Sequence, residues 1–155
     1  VDYIMLKIPA RLAQQSGKGA VDYETGFQCI FEPTADDFDV LGHVNNVVYL
    51  RWVQDIAVAH WEHVVSEQFK SDFVWVALRH EIDYRDAILP GELAEGRTWL
   101  GRAEGARFER FVDIRKPGAK RVSAQSLTQW CLLNAKTRRP MRVTQDILDC
   151  FQTPG

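Results

Sequence analysis

A ten-residue segment, residues 37–46, concentrates side chains that could act on a carbonyl group. It reads DFDVLGHVNN and contains the carboxylates of Asp37 and Asp39, followed by Gly42 and His43. A long apolar segment that predicts a helix comes directly afterwards. The dipole of a helix keeps a carboxylate at its amino end ionised, and the free N–H groups of its first turn can bind an oxyanion. The two acids could also be ordinary loop acids or helix caps, because Asp is common before helices.

Hydrophobic patterns predict the elements that must hold this segment in place. Apolar residues occupy odd positions up to Phe31, which predicts a half-buried strand over 22–32 that stops at Pro33. Residues 45–65 contain neither Gly nor Pro and predict one helix of about five turns. Its surface is apolar over so much of its circumference that other elements should wrap around it.

Four further strands are predicted after this helix, over residues 74–84, 92–101, 108–114 and 122–133. Even positions from Val74 to Tyr84 are expected on one face. In the third of these strands Arg110 shares its face with apolar neighbours. Thr144 is predicted to cap a short closing helix over 145–151.

This order of elements predicts an α+β fold, in which an antiparallel sheet of five or six strands curls around one long central helix. A chain of 155 residues is expected to form a single domain, here residues 21–155, after an extension at residues 1–20. The exposed sheet edge would be protected by dimerisation.

Composition argues against several classes of partner. Nineteen basic and 21 acidic residues give a net charge of −2, which is not typical of a nucleic-acid-binding protein. No apolar run is long enough to span a bilayer or to form a signal peptide, so no membrane partner is expected. Three scattered cysteines without a CxxC pair disfavour disulfides and a zinc site, and a cytoplasmic location is expected.

The segment DFDVLGHVNNVVYLRW, residues 37–52, resembles the DxDxxGHVNNxxY segment of hotdog-fold thioesterases. Residues 76–116 are similar to the second to fourth strands of the 4-hydroxybenzoyl-CoA and acyl-ACP thioesterase groups. The resemblance implies the hotdog fold and hydrolysis of an acyl thioester. It also implies a homodimer, or a homotetramer built from dimers, with active sites at the dimer interface. The resemblance implies no metal and no other cofactor. CoA is counted as part of the substrate.

The resemblance assigns catalytic roles within the motif. Asp39 matches the catalytic carboxylate and is expected to act as base or nucleophile, while Asp37 is expected to be structural. Gly42 would let the thioester approach the backbone, or serve as an ordinary turn glycine. His43 would act on or contact the substrate, or make a structural hydrogen bond. The main-chain N–H near Asn46 would face the thioester carbonyl, with helix capping as the alternative.

Substrate-binding residues are expected in two places. In the family the phosphopantetheine arm follows the second strand, which makes Arg79, His80 and Tyr84 candidate lining residues. Core packing for His80 and solvent exposure for Arg79 are the alternatives. Arg138 and Arg139, in the basic NAKTRRP loop, could bind the phosphates of CoA or form a solubilising patch.

Other titratable residues lie on the predicted central helix. Asp55 is the second candidate for the catalytic carboxylate, although a solvated acid on the helix face is expected there. His60, Glu62 and His63 have spacing that imitates a metal site, but no third distant ligand accompanies them. The two histidines are therefore expected on the helix surface.

The predicted function is hydrolysis of acyl-CoA thioesters. Hydrolysis of acyl-ACP is the nearest alternative, but plant acyl-ACP thioesterases have Asn where Leu41 stands here, which favours CoA esters. A non-catalytic acyl-CoA-binding module is the second alternative. The DxNPxHxD and HFPxxPxxPG patterns of hotdog hydratases and dehydratases are absent from the sequence.

Overall fold

The computed structural model describes residues 26–152, in which five antiparallel strands form one sheet in the order β1-β3-β4-β5-β2. The strands are β1 (Phe27–Phe31), β2 (Phe73–Tyr84), β3 (Ala94–Glu104), β4 (Arg107–Arg115) and β5 (Ala124–Asn134). The helices are α1 (Asn46–Val64), α2 (Glu67–Asp72) and α3 (Gln145–Gln152), and residues Ala35–Asp37 form a 3-10 turn. This is the predicted hotdog architecture.

The central helix α1 packs against the inner face of the sheet. Its Trp52 ring stacks on Phe31 of β1 with ring centroids 5.2 Å apart, and Ile56 is fully buried. A Cβ atom added to Gly96 of β3 would lie 3.0 Å from the Phe31 side chain and 3.2 Å from that of Ile56. Glycine at this point therefore lets the helix and the sheet approach closely.

Two of the three helices agree with the sequence predictions. The helix predicted over 45–65 is confirmed as α1, and the Asn45 side chain caps it. The closing helix predicted over 145–151 is confirmed as α3. The short α2 was not predicted; it begins after Ser66, whose Oγ accepts the Phe69 N–H at 3.4 Å.

The predicted strands are confirmed, with ends that differ by at most three residues downstream of α1. The first strand begins at Phe27 within the described residues, and its predicted part over 22–25 lies outside them. The boundary predicted between residues 20 and 21 lies outside them as well. None of the helices between residues 26 and 152 is long and apolar enough to cross a bilayer.

The prediction that even positions of β2 share one face along the whole strand is wrong. The pairing register with β5 shifts between Ala77 and Arg79, so Leu78 is an extra residue in the ladder. Trp75 and Ala77 pack into the core before this bulge, whereas Ile82 does so after it. One inserted residue reverses the alternation, because successive side chains point to opposite faces.

Candidate active site

The loop before α1 folds back on itself. Phe38 and Val44 form an isolated antiparallel bridge, the Asp39 N–H donates to the His43 carbonyl at 2.8 Å, and the Gly42 N–H donates to the Asp39 carbonyl at 3.0 Å. Gly42 has a φ of +77°, a conformation that other residues adopt only with strain. A Cβ atom there would meet nothing within 4 Å, so the backbone and not the available space requires glycine.

The Asp39 carboxylate is oriented by the backbone of this same loop. Its Oδ1 accepts the Leu41 N–H at 2.9 Å and the His43 N–H at 3.1 Å. Within residues 26–152, no hydrogen bond engages the second oxygen, Oδ2. The carboxylate is therefore fixed through one oxygen and presents the other, the arrangement that a base or nucleophile needs.

The first turn of α1 offers one main-chain donor beside this loop. The Asn45 side chain accepts the Val47 N–H at 3.2 Å, and the Asn45 carbonyl accepts the Val48 N–H at 2.9 Å. The N–H of Asn46, the first helical residue, makes no hydrogen bond to the described residues. Asn45 is thus the capping residue, and the Asn46 N–H remains able to bind an oxyanion.

Asp37 links the loop to the helix through hydrogen bonds. It is only 5% exposed, its Oδ1 accepts Arg51 Nη2 at 2.8 Å, and its Oδ2 accepts the Thr34 N–H at 2.8 Å. Burial opposes ionisation, but the Arg51 and Thr34 donors outweigh it and hold the pKa of Asp37 below its usual value. Its carbonyl also accepts the Asn45 N–H at 2.8 Å. These bonds assign Asp37 a structural role.

The structure brings one predicted lining residue to the start of α1. Tyr84, at the end of β2, donates its hydroxyl hydrogen to the Asn46 carbonyl at 3.2 Å and is 43% exposed. His80 instead bonds Thr128 Oγ1 through Nδ1 at 2.8 Å, and burial lowers its pKa. Arg79 is exposed and pairs with a glutamate two residues further along. The alternatives of packing for His80 and solvent exposure for Arg79 agree with these positions.

Arg138 and Arg139 lie far from the start of α1 within one chain. Phe73, at the beginning of β2, pairs with Asn134, the first residue of the NAKTRRP segment, whereas Tyr84 pairs with the opposite end of β5. The eleven steps of β2 between these ends span roughly 36 Å at about 3.3 Å per residue. Both arginines are exposed, and Arg138 has a positive φ of 60°.

The expectation that Asp55 is a solvated acid on the helix face is wrong. The side chain is half-buried, and its Oδ2 is buried with no hydrogen-bond partner among the described residues. Burial raises the pKa of Asp55 to about 6, against the opposing effect of the Arg51 charge. Asp55 therefore carries a proton more readily than an ordinary aspartic acid.

The expectation that both helix histidines lie on the surface is wrong for His60. It is 4% exposed and stacks on Phe27 with centroids 4.8 Å apart, whereas His63 is exposed. The spacing of His60 from the buried Ile56 and Val53 is helical and could have indicated this. No group of three or more potential metal ligands occurs in the part of the chain that the structure describes.

Sequence reasoning did not anticipate the apolar surface around the motif. Val40 is fully exposed, Leu41 is 75% exposed, and Val47 in the first helical turn is 67% exposed. Leu78 is also exposed, at 48%, but it lies in the middle of the edge strand β2, six residues before Tyr84. Large apolar side chains that cluster on a surface usually mark a contact with another molecule.

The fold and the motif together define a hotdog protein that carries a fixed carboxylate at the amino end of its central helix. Residues 33–151 match the thioesterase-like superfamily, and the chain belongs to this family. No curated protein matches the chain.

Solved structures share this fold at low sequence identity. The probable thioesterase YbaW from Escherichia coli is 20% identical, with a TM-score of 0.72 over 79% of this chain and 94% of that one. A thioesterase from Thermus thermophilus, in complex with coenzyme A and zinc, is 21% identical, with a TM-score of 0.69 over 80% and 90%. The 1,4-dihydroxy-2-naphthoyl-CoA thioesterase from Synechocystis is 16% identical, with a TM-score of 0.69 over 81% and 94%.

Proposed function

We propose that this protein hydrolyses acyl-CoA thioesters to a carboxylic acid and free CoA. The observation that carries the proposal is the Asp39 carboxylate, which the loop backbone fixes through Oδ1 at the amino end of α1 while Oδ2 stays free. Membership of the thioesterase-like superfamily supports it. The similar structures of a coenzyme A complex and of a CoA thioesterase add support for CoA as the carrier.

The proposed reaction uses the protein's own groups. Asp39 Oδ2 either removes a proton from the water that attacks the thioester carbon or attacks that carbon itself. Both routes place negative charge on the carbonyl oxygen, to which the Asn46 N–H donates. The carbon–sulfur bond then breaks, and the thiolate of CoA leaves and is protonated. In the second route this leaves a mixed anhydride between the acyl group and Asp39, which water hydrolyses to release the carboxylic acid and restore the Asp39 carboxylate. His43, beside Asp39 in the same turn, contacts the substrate, and Gly42 leaves the approach to the backbone open.

The proposed enzyme works as a homodimer joined through the β2 edges. Antiparallel pairing of two β2 strands would bring the beginning of one strand towards the end of the other. The partner's basic loop would then approach Tyr84 and the start of α1, where Arg138 and Arg139 could bind the phosphates of CoA. Contact with the partner would also cover the exposed Val40 and Leu41. We place this enzyme in the cytoplasm, where its free cysteines stay reduced.

The test is a thiol-release assay on short, medium and long acyl-CoAs and one aryl-CoA, with wild type and Asp39→Asn. The asparagine oxygen can still accept the two loop N–H groups, so the turn should persist while the charge is lost. We expect a loss on the order of 10²-fold in kcat/KM. Asp36→Asn is the matched control, because it removes an exposed charge from the same segment. Full activity of Asp39→Asn would exclude the assigned carboxylate.

The same assay separates the alternatives. If CoA esters bind to wild type and none is cleaved, the protein is an acyl-CoA-binding module. If acyl-ACP is cleaved and acyl-CoA is not, the carrier in the proposal is wrong.

A further inference from the structure

A cavity lies beside the carboxyl half of α1. Its volume is about 290 Å³, and half of its lining residues are aromatic: Trp61, Phe73, Trp75, Phe108, Trp130 and Phe151. Its position near Ala57, eleven residues beyond Asn46, places it roughly 17 Å along the helix from the catalytic motif.

The lining contains a buried arginine without a negatively charged partner. Arg110 of β4 is 2% exposed, and both of its hydrogen bonds leave from Nη1, to His60 Nδ1 at 2.9 Å and to Thr98 Oγ1 at 3.0 Å. Its Nε–H has no partner among the described residues. Glu62 also lines the cavity, but its carboxylate pairs with Lys70 at 2.8 Å. No ion pair joins Arg110 to any carboxylate within residues 26–152.

The neighbours of Arg110 cannot supply the missing charge. Burial and the Arg110 charge lower the pKa of His60 well below its usual value, so its ring is neutral and accepts a hydrogen bond. The Thr98 hydroxyl donates to the Phe111 carbonyl at 2.9 Å. Burial lowers the pKa of Arg110 to about 9, so the guanidinium remains charged at neutral pH. Keeping a charge buried and unpaired is energetically costly, and an anion in the cavity would offset that cost.

A second donor in the same lining lacks an acceptor. The indole N–H of Trp130 is buried and has no hydrogen-bond partner in the described part of the chain. Trp130 is 7% exposed and lines the cavity with Arg110. Two unmatched donors and no unmatched acceptor in one apolar cavity call for a ligand that only accepts hydrogen bonds and carries negative charge. A carboxylate has this chemistry.

We propose that this cavity binds an apolar carboxylate through Arg110 and Trp130, and that the carboxylate is the distal end of the substrate's acyl group. The second part rests on the proposed function and makes the preferred substrates ω-carboxyacyl thioesters, that is, CoA monoesters of dicarboxylic acids. Phe73 and Trp75 line the cavity at the beginning of β2. In a dimer paired through β2 they would lie towards the partner's Tyr84, so the cavity would serve the partner's catalytic carboxylate.

Binding alone tests the first part. Calorimetric titration of wild type compares 3-phenylpropanoate with its primary amide, which has the same shape and no charge. We expect the acid to bind at least tenfold more tightly, and Arg110→Met to remove the difference. Trp130→Phe should weaken binding of the acid several-fold, whereas Arg107→Met, an exposed charge on the same strand, should not. Equal binding of acid and amide to wild type, or binding of neither, would overturn the site even if Arg110→Met fails to fold.

Turnover tests the second part. We compare octanedioyl-CoA with octanoyl-CoA and expect wild type to favour the former at least tenfold in kcat/KM, with the preference reversed in Arg110→Met. If both esters are cleaved equally well, the distal-carboxylate assignment is wrong while the proposed function stands. If the free acid binds but no acyl-CoA is cleaved, the proposed function fails and the cavity is a site for a free acid and not for an acyl group.

Discussion

The two ends of the central helix differ in whether the buried polar and charged groups around them have hydrogen-bond partners. At the amino end, each buried or half-buried acid is matched with donors: Asp37 with Arg51 and a backbone N–H, and Asp39 with two backbone N–H groups. In the carboxyl half, the Arg110 guanidinium and the Trp130 indole keep donors without acceptors. In the first arrangement each acid is held in place by donors of the protein itself, which positions the groups around it. The second is incomplete without a ligand, which is typical of a binding site.

This comparison predicts where stability depends on a charged group. Replacement of a matched group leaves its partners unsatisfied and should destabilise the fold. Replacement of an unmatched buried charge removes a desolvation cost and should either leave the stability of the fold nearly unchanged or increase it.

The largest effect is expected for Asp37→Ala. The change leaves the Thr34 N–H and the Arg51 guanidinium without the carboxylate that accepts their hydrogen bonds. We expect a loss of roughly 2–3 kcal/mol in the free energy of unfolding. Since the pKa of Asp37 is lowered in the folded state, its contribution is complete above pH about 4 and disappears as the pH falls further. Urea denaturation at pH 7 and pH 3 measures both effects. Asp36→Ala, at an exposed neighbour, should cost less than about 0.5 kcal/mol.

Asp55→Asn should raise the free energy of unfolding, whereas Asp37→Ala should lower it. The folded state binds a proton to Asp55 up to a pKa of about 6, whereas the unfolded state releases it near 3.8. Stability due to this group therefore falls as the pH rises from about 4 to about 6 and stays lower above that range. We expect Asp55→Asn to raise the free energy of unfolding at pH 7 by roughly 1–2 kcal/mol, allowing for partial exposure to solvent. An equal gain at pH 4 would contradict a cause that depends on ionisation.

Gly42→Ala tests how far the backbone conformation of the loop, rather than its charges, determines the position of Asp39 at the amino end of α1. The φ of +77° makes a Cβ strained, so we expect a loss of about 1 kcal/mol together with reduced kcat, because Asp39 would be displaced. Gly105→Ala in the β3–β4 turn is the matched control, with a φ of +60° and equally open surroundings. It should lose similar stability at unchanged kcat. Thermal unfolding and the thiol-release assay distinguish the two variants.

The same contrast explains what the sequence could predict. The bounds of α1 were predicted to within one residue, because a stretch free of Gly and Pro and a capping asparagine are local signals. Alternation also placed Arg110 on an apolar face of β4. Its partner could not be predicted, since His60 lies 50 residues away on another element. The bulge at Leu78 was missed because an inserted residue leaves the apolar composition of the strand unchanged.

The smallest stability effect is expected for Arg110→Met, the replacement of the most deeply buried charge in the comparison. The change removes the cost of an unpaired guanidinium but leaves His60 and Thr98 without their donor, and the methionine fills most of the volume. We expect these terms to nearly cancel, with a change below about 1 kcal/mol in urea denaturation. A loss of about 3 kcal/mol or more would show that Arg110 stabilises the fold through contacts already complete without a ligand. Added 3-phenylpropanoate sharpens the test, because it should raise the midpoint of wild type and not that of Arg110→Met.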